Sequence, residues 1–390
     1  MTDKKRSGPL AGLKVIELAG IGPGPFSAML LADLGADILR IDRPAGVQSG
    51  GYRDPKRDLL NRSRKSVAVD LKSPQGVALV LDLVARAEVL LEGYRPGVTE
   101  RLGLGPDACL AVNPRLVYGR MTGWGQGGPL AQVPGHDINF SAVSGALNGI
   151  GRKGDRPVPP LNLVADFGGG GLYLAFGVVC AVLEARTSGQ GQVIDAAMTD
   201  GVASMMTMFH GLLAMNRWDG EIGTSYLSGS APFYDVYETS DGKHVAVGAV
   251  EQRFYITLVE ALGFDPQDLP DRDNPENWPA LRERLASRFK QETRAYWCGL
   301  LEEREACFSP VLSIAEAPGH PQNEARGAYE TVDTIVQPAP APRFSRTPGA
   351  IQNPPPIPGQ NTVEALQAWG VSDGTIDTLM QSGAIAGQSG

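Results

Sequence analysis

Short apolar runs alternate with longer amphipathic stretches along the first half of the chain. Val15-Ile16-Glu17-Leu18 predicts a buried strand, and after a Gly/Pro turn Phe26 to Leu34 predicts an apolar helix. Ala36-Asp37-Ile38-Leu39-Arg40-Ile41 predicts a second strand. The rhythm recurs with a helix over Val77 to Ala87, a strand at Val89-Leu90-Leu91 and another at Leu116-Val117-Tyr118. Such alternation implies a parallel sheet covered by helices, with ligands at the carboxyl ends of its strands. Leu172 to Glu184 is apolar nearly all round, which predicts a buried helix.

From about Phe233 the texture changes. Tyr234-Asp235-Val236-Tyr237-Glu238 and His244-Val245-Ala246-Val247 flank Thr239-Ser240-Asp241-Gly242-Lys243, which predicts a hairpin with an Asp-Gly turn. Helices are predicted around Phe254 to Leu262 and Trp278 to Phe289. Gln337 to Pro358 is proline-rich and predicts an extended connector, followed by two short helices around Val363 to Trp369 and Thr375 to Gln381. No internal repeat is evident. A chain of 390 residues exceeds what one core usually holds, so two domains are expected.

Composition narrows the partners more than the fold. A net charge of −8 argues against nucleic acid and anionic membrane, which both call for a basic surface. No uninterrupted apolar run approaches the roughly 20 residues that span a bilayer. The opening Met1-Thr2-Asp3-Lys4-Lys5-Arg6-Ser7 has no apolar signal core behind it, so a cytoplasmic location is expected. Cys109, Cys180, Cys298 and Cys307 lack metal-type spacing and read as reduced, structural thiols.

Gly20-Ile21-Gly22-Pro23-Gly24-Pro25 follows a strand, precedes a helix and has Asp42 downstream, close to a dinucleotide fingerprint. Pro25 stands at the third glycine position, however, and two prolines remove backbone donors that a pyrophosphate needs. Stronger candidates for chemistry are three acid–base residues. His136 lies in Pro134-Gly135-His136-Asp137-Ile138-Asn139-Phe140, Asp166 precedes the run Gly168 to Gly171, and Glu251 follows Val247-Gly248-Ala249-Val250. A reaction that takes a proton from one face of a carbon and returns one to the other needs two bases. A His and an Asp, with a carboxylate to hold the imidazole, suit that task better than hydride or metal chemistry. Asp166 also reads as the N-cap of a helix beginning in the glycine run, beside backbone N–H groups able to stabilise an enolate oxygen.

At these residues the chain resembles the racemase branch of the class III CoA-transferase (CaiB/BaiF) family. The likeness runs from about Leu10 to about Ile385. Its strongest stretches are Gly93-Tyr94-Arg95-Pro96-Gly97-Val98, Met121-Thr122-Gly123-Trp124-Gly125-Gln126, Gly135-His136-Asp137-Ile138-Asn139, Gly229-Ser230-Ala231-Pro232-Phe233-Tyr234-Asp235 and Pro342 to Gly349. The resemblance implies a Rossmann-like α/β large domain with a smaller α+β domain, in an interlocked homodimer. The expected division is 1–200 for the first part of the large domain, 201–224 for a linker, 225–325 for the small domain, and 326–390 for the return.

What the resemblance implies for chemistry is equally definite. His136 and Asp166 would be the two bases and Glu251 the residue orienting His136; Gln252-Arg253 departs from the family's more usual proline and glutamine. CoA would be held by Arg43, Val69, Asp70, Leu71, Lys72, Gly93, Tyr94, Arg95 and Arg101, with Gly135, Asp137, Ile138, Asn139 and Phe140 lining the thioester end. The substrate would be a 2-methylacyl-CoA thioester, epimerised through an enolate. No metal or redox cofactor is called for, since the thioester itself acidifies the α-carbon. Two alternatives stay open: CoA transfer between carboxylic acids with Asp166 as nucleophile, and a dinucleotide oxidoreductase using Gly20 to Gly24. The acyl chain is not specified.

Overall fold

The computed structural model describes residues 7–44 and 54–387; Met1 to Arg6, which entered the argument on export, lie outside them. The chain divides into two compact units, one comprising 1–144, 161–205 and 327–390, the other 145–160 and 206–326. The second unit is therefore wider than 225–325, taking in an excursion before Leu161 and 206–224 of the stretch expected as a linker, while 201–205 stays with the first unit.

The first unit is built on a seven-stranded sheet. Its parallel strands are β1 (Lys14–Leu18), β2 (Asp37–Asp42), β3 (Lys65–Val69), β4 (Val89–Glu92), β5 (Val117–Thr122) and β6 (Gln192–Ala197). They lie in the order β3-β2-β1-β4-β5-β6, and the short terminal strand Ile385–Ala386 closes the β3 edge antiparallel. Val15, Ile16, Ile38, Leu39, Val67, Val89 and Leu90 are all fully buried, as strands covered on both faces require. The order turns at β1 and β4, so a crevice opens at their carboxyl ends, the usual ligand position in such sheets.

The helices of this unit are α1 (Pro23–Asp33), α2 (Pro74–Val84), α3 (Val98–Arg101), α4 (Pro106–Val112), α5 (Asp137–Val143), α6 (Tyr173–Ser188) and α7 (Met198–Met205), with the two expected short helices, Thr362–Ala368 and Asp373–Gln381, in the return. Pro23 and Pro25 fall in the first turn of α1, where a missing N–H breaks no helical bond. A π-helix, Leu163–Leu172, runs directly into α6; the Phe167 N–H reaches back five residues to the Asn162 carbonyl. Asp166 is thus inside a helix that starts at Leu163, not its N-cap in the glycine run. The glycines let neighbouring backbones approach. A Cβ on Gly169 would come within 2.8 Å of the Val202 nitrogen, one on Gly171 within 2.8 Å of the Pro23 carbonyl, and one on Gly201 within 1.9 Å of the Gly169 carbonyl.

Two expectations about this helix change. Together its segments form a 26-residue rod whose most apolar 18-residue window has a mean hydropathy of 1.6, long and apolar enough by composition to cross a membrane, with 39% of that window buried. Nor is it buried all round: α6 packs on β5 and β6 with one face while Leu172, Phe176, Val179 and Leu183 are exposed on the other. Their spacing of four, three and four residues makes one continuous stripe.

The second unit has its own core around Leu258, Leu281, Leu285, Phe289, Trp297 and Leu301. The expected hairpin is present: Tyr234–Glu238 pairs antiparallel with His244–Gly248, which pairs in turn with Phe308–Val311.

Candidate active site

A cavity of about 440 Å³ occupies the crevice at the carboxyl ends of β1, β4 and β5. The loop after β1 and the first turn of α1 contribute Gly20 to Pro25, the loop after β4 Gly93 to Pro96, and the loop after β5 Gly123 and Trp124. Gly135, His136, Phe140, Asp166 and Met198 complete the wall relevant to the chemistry.

His136 sits just before α5, and its own N–H donates to the Asn139 Oδ1 at 3.0 Å. The loop carrying it is braced by aromatic packing. The Phe140 ring meets Trp124 edge-on with centroids 4.8 Å apart, and the Trp124 indole N–H donates to the Val133 carbonyl at 3.0 Å. A Cβ on Gly123 or Gly135 would strike that ring at 2.0 or 2.7 Å, so both glycines are demanded by Phe140. The imidazole itself is exposed to the cavity.

Asp166 faces the same cavity from the π-helix. Burial, then the like charge of Asp137, push its carboxyl above the usual carboxylate range, against the pull of the Asn162 amide and of His136. The Asn162 amide donates to its Oδ2 at 3.4 Å, and a Cβ on Gly22 would lie 3.4 Å from the same oxygen. The glycine-rich loop after β1 therefore lies against the carboxylate. The N–H groups expected to receive an enolate at this helix start are otherwise engaged: those of Ala165 and Asp166 donate to the buried Asp137 Oδ2 at 2.7 and 2.8 Å.

Among the remaining candidates, Gly93, Tyr94 and Arg95 line the cavity. Their loop is fixed by the buried Glu92, which accepts the Tyr94 N–H at 2.7 Å and the Arg120 Nε–H at 2.8 Å. Arg43 and Arg101 are exposed nearby; Arg43 reaches the Tyr94 phenol, and a Cβ on Gly97 would lie 3.2 Å from the Arg101 Nη1. Val69 belongs to the core, and Asp70 turns back to accept the Lys72 N–H at 2.9 Å, so 69–72 stands apart from the cavity wall. Leu71 packs against that same core. Ile138 and Asn139 are exposed on α5 outside the wall. Asp137 is a helix clamp whose carboxylate points into protein.

The model of CoA-transferase family III matches residues 10–362. The chain belongs to this family. It is 43% identical to alpha-methylacyl-CoA racemase of Mus musculus over 93% of this chain and 94% of that protein. The human alpha-methylacyl-CoA racemase is 42% identical with the same coverage. The crystal structure of a CaiB/BaiF family protein from Brucella suis superposes with a TM-score of 0.81 at 26% identity, covering 93% of this chain and all of that one.

Within this family member Glu251 belongs to the second unit, at the start of the helix Gln252–Ala261, with its carboxylate exposed and making no capping bond. Sequence reasoning missed what aims it. Arg272, stacked 3.8 Å over the Phe233 ring, donates to the Ala249 and Val250 carbonyls at 3.1 and 2.5 Å, holding the two residues before Glu251. Trp124 and Asn162 were also missed as site residues. The four-residue step from Asn162 to Asp166 was a usable signal only once a helix was recognised there.

Proposed function

We propose that this protein is a racemase that interconverts the (2R) and (2S) epimers of 2-methylacyl-CoA thioesters. The observation that carries the reading is the placement of His136 and Asp166 on one cavity at the turning point of the sheet. Relatives at 42–43% identity named alpha-methylacyl-CoA racemase supply the substrate class.

The substrate Cα sits between the bases. Neutral His136 takes the α-proton of one epimer, leaving a planar enolate conjugated with the thioester carbonyl. Protonated Asp166 then delivers its proton to the opposite face. In the reverse direction Asp166 abstracts and imidazolium His136 returns. An Asp held above the ordinary carboxylate range is better matched to both halves of this cycle than an exposed one. Each positioned transfer contributes about 10²–10⁴ in rate. The thioester acidifies Cα, so the scheme calls for no metal or redox cofactor. Met121, Trp124, Phe140 and Met198 offer the acyl arm apolar wall, while Arg95 at the cavity and Arg43 and Arg101 beside it suit the CoA phosphates.

The active form in this proposal is a homodimer in a cytoplasmic setting, with Glu251 serving a His136 at or near the subunit boundary. The exposed stripe Leu172, Phe176, Val179 and Leu183 supports a second copy, since a soluble protein rarely leaves such a stripe in water.

The test is to incubate one pure 2-methylacyl-CoA epimer in deuterated water and follow epimerisation and deuterium uptake at Cα by NMR. Both are expected together, without an added acid. Acid-dependent exchange of CoA with no deuterium uptake would instead establish transfer through an Asp166 acyl intermediate.

A further inference from the structure

Asp137 is the residue after His136, yet its buried carboxylate turns away from the cavity. Its Oδ2 accepts the N–H groups of Ala165 and Asp166 at 2.7 and 2.8 Å, and its Oδ1 accepts the Ser141 hydroxyl at 3.2 Å. A carboxylate that accepts two N–H groups at a helix start is a strong, charge-assisted cap. Here the cap comes from another helix, 29 residues earlier in the chain.

We infer that Asp137 is a positioning residue, clamping the start of the Asp166 helix onto the start of the His136 helix and so fixing the gap between the two bases. The inference rests on the racemase reading for the purpose of that gap. A two-base reaction needs both groups within about 3–3.5 Å of one carbon's substituents, and a displacement near 1 Å costs about 10²-fold in rate. The other ties on the His136 loop, from Asn139 and Trp124, do not reach Asp166.

The same carboxylate has a second effect. Of the charged groups on elements packed against the π-helix, Asp137 of α5 raises the Asp166 titration and His136 lowers it. Asp33 of α1 is paired with Arg62, Arg120 of β5 with Glu92 and Glu100, and Arg186 of α6 with Glu88. Asp195 of β6 accepts the Gln126 N–H, and neither it, Asp200 of α7 nor Glu184 of α6 acts on Asp166. Removing the Asp137 charge while keeping its oxygen should therefore lower the pH at which Asp166 titrates.

The experiment compares Asp137→Ala and Asp137→Asn with the wild type. Asn retains an oxygen that can accept both N–H groups; Ala does not. Asp137→Ala is expected to lose about 10²-fold in kcat with little change in KM, because the CoA phosphates of the substrate would be met by Arg95, Arg43 and Arg101 and not by the buried Asp137 carboxylate. Asp137→Asn is expected to recover most of that loss, and its pH–rate limb for Asp166 to move to lower pH. In protein labelled with carbon-13 at the aspartate carboxyls, the Asp166 resonance, assigned with Asp166→Asn, should titrate lower in Asp137→Asn than in wild type. Asp137→Ala retaining kcat within about threefold, or Asp137→Asn as impaired as Ala with an unmoved titration, overturns the inference. Should the wild type itself fail to epimerise any thioester, the racemase reading falls, and the carboxyl titration still decides: an unmoved Asp166 resonance in both variants overturns the link.

Discussion

Beneath β1, β2 and β3, Glu17 bridges Arg40 and Arg64 at 3.1 and 3.2 Å, Arg40 also pairs with Asp42 at 3.2 Å, and Arg62 grips Asp33 at 2.5 Å. Every one of these side chains is buried. A short distance along the same sheet, at the cavity, His136 is exposed and Asp166 half-buried, and the strongest neighbouring charge on Asp166 is another carboxylate. Both regions are dense in charge. In the first, each acid faces an arginine that opposes the cost of burial; burial still raises the Asp33 carboxyl against the pull of Arg62, and it pushes the wholly enclosed Arg64 down to about 10. In the second, an acid is set beside an acid and left reachable from solvent. The arrangement that leaves Asp166 poorly satisfied also leaves it able to gain and lose a proton.

The comparison breaks if substitutions in the two regions change the same property. The largest effect is expected at the bases. His136→Ala should lower racemisation by about 10²–10⁴ with little change in melting temperature. Asp166 should still exchange the α-proton of its own epimer slowly, which deuterium incorporation into each pure epimer would reveal. If His136→Ala behaves as wild type while acid-dependent CoA transfer collapses in an Asp166 variant, the racemase assignment is wrong.

Asp166→Asn should show the mirror pattern of exchange, with an added signature in stability. Because the folded carboxyl titrates above its unfolded value of 3.8, the wild type loses stability as pH rises from there through the folded value, and the deficit persists at neutral pH. Asn has no such deficit. The variant should therefore melt slightly higher than wild type at pH 7, and the difference should vanish below the unfolded value. Equal or lower melting at pH 7 would mean that Asp166 is not held in a disfavoured charge state.

Arg62→Ala should do the reverse. It strands Asp33 and also removes bonds to the Gln337 side chain and the Pro338 carbonyl, at 2.9 and 2.8 Å, that tie the return segment to the rest of the first unit. A loss of about 3–5 kcal/mol in unfolding free energy is expected, with kcat of the folded fraction near wild type. A kcat defect without a stability defect would erase the distinction between the two regions.

The scaffold was the more legible of the two in the sequence, for a physical reason. Strands such as Val15–Leu18 and Val89–Leu91 are buried on both faces and announce themselves as apolar runs. Gln192–Ala197 was missed because its burial is partial, and Lys65–Val69 because its few alternating residues are flanked by charge. The Gly168 to Gly171 run reads as the place where a helix begins and not as its interior, since each interior glycine costs a helix about 1 kcal/mol. It is helical because α1 and α7 come too close for any side chain there, a fact that lies in the partners and not in the run. His136, Asp166 and Glu251 were singled out by their motifs, whereas the clamp between Asp137 and residues 165 and 166 joins groups whose proximity only the fold creates.

The smallest effect is expected where charge is fully solvated. Arg101 is exposed at the end of α3, beside the Gly97 turn that follows the cavity loop Gly93 to Pro96. If it meets a CoA phosphate, the contact is in water and screened, worth about 1 kcal/mol at most, so Arg101→Ala should raise KM by about fivefold or less. The kcat should hold, because a phosphate contact remote from Cα is made equally in the ground and transition states. The KM difference should also shrink as salt is raised from about 0.05 to 0.5 M, since screening weakens the wild-type contact toward that of the variant. A KM identical to wild type at low salt would remove Arg101 from the CoA site, and a kcat defect of the size seen at His136 would mean that a solvated charge reaches the reacting carbon, against the contrast drawn between the two regions.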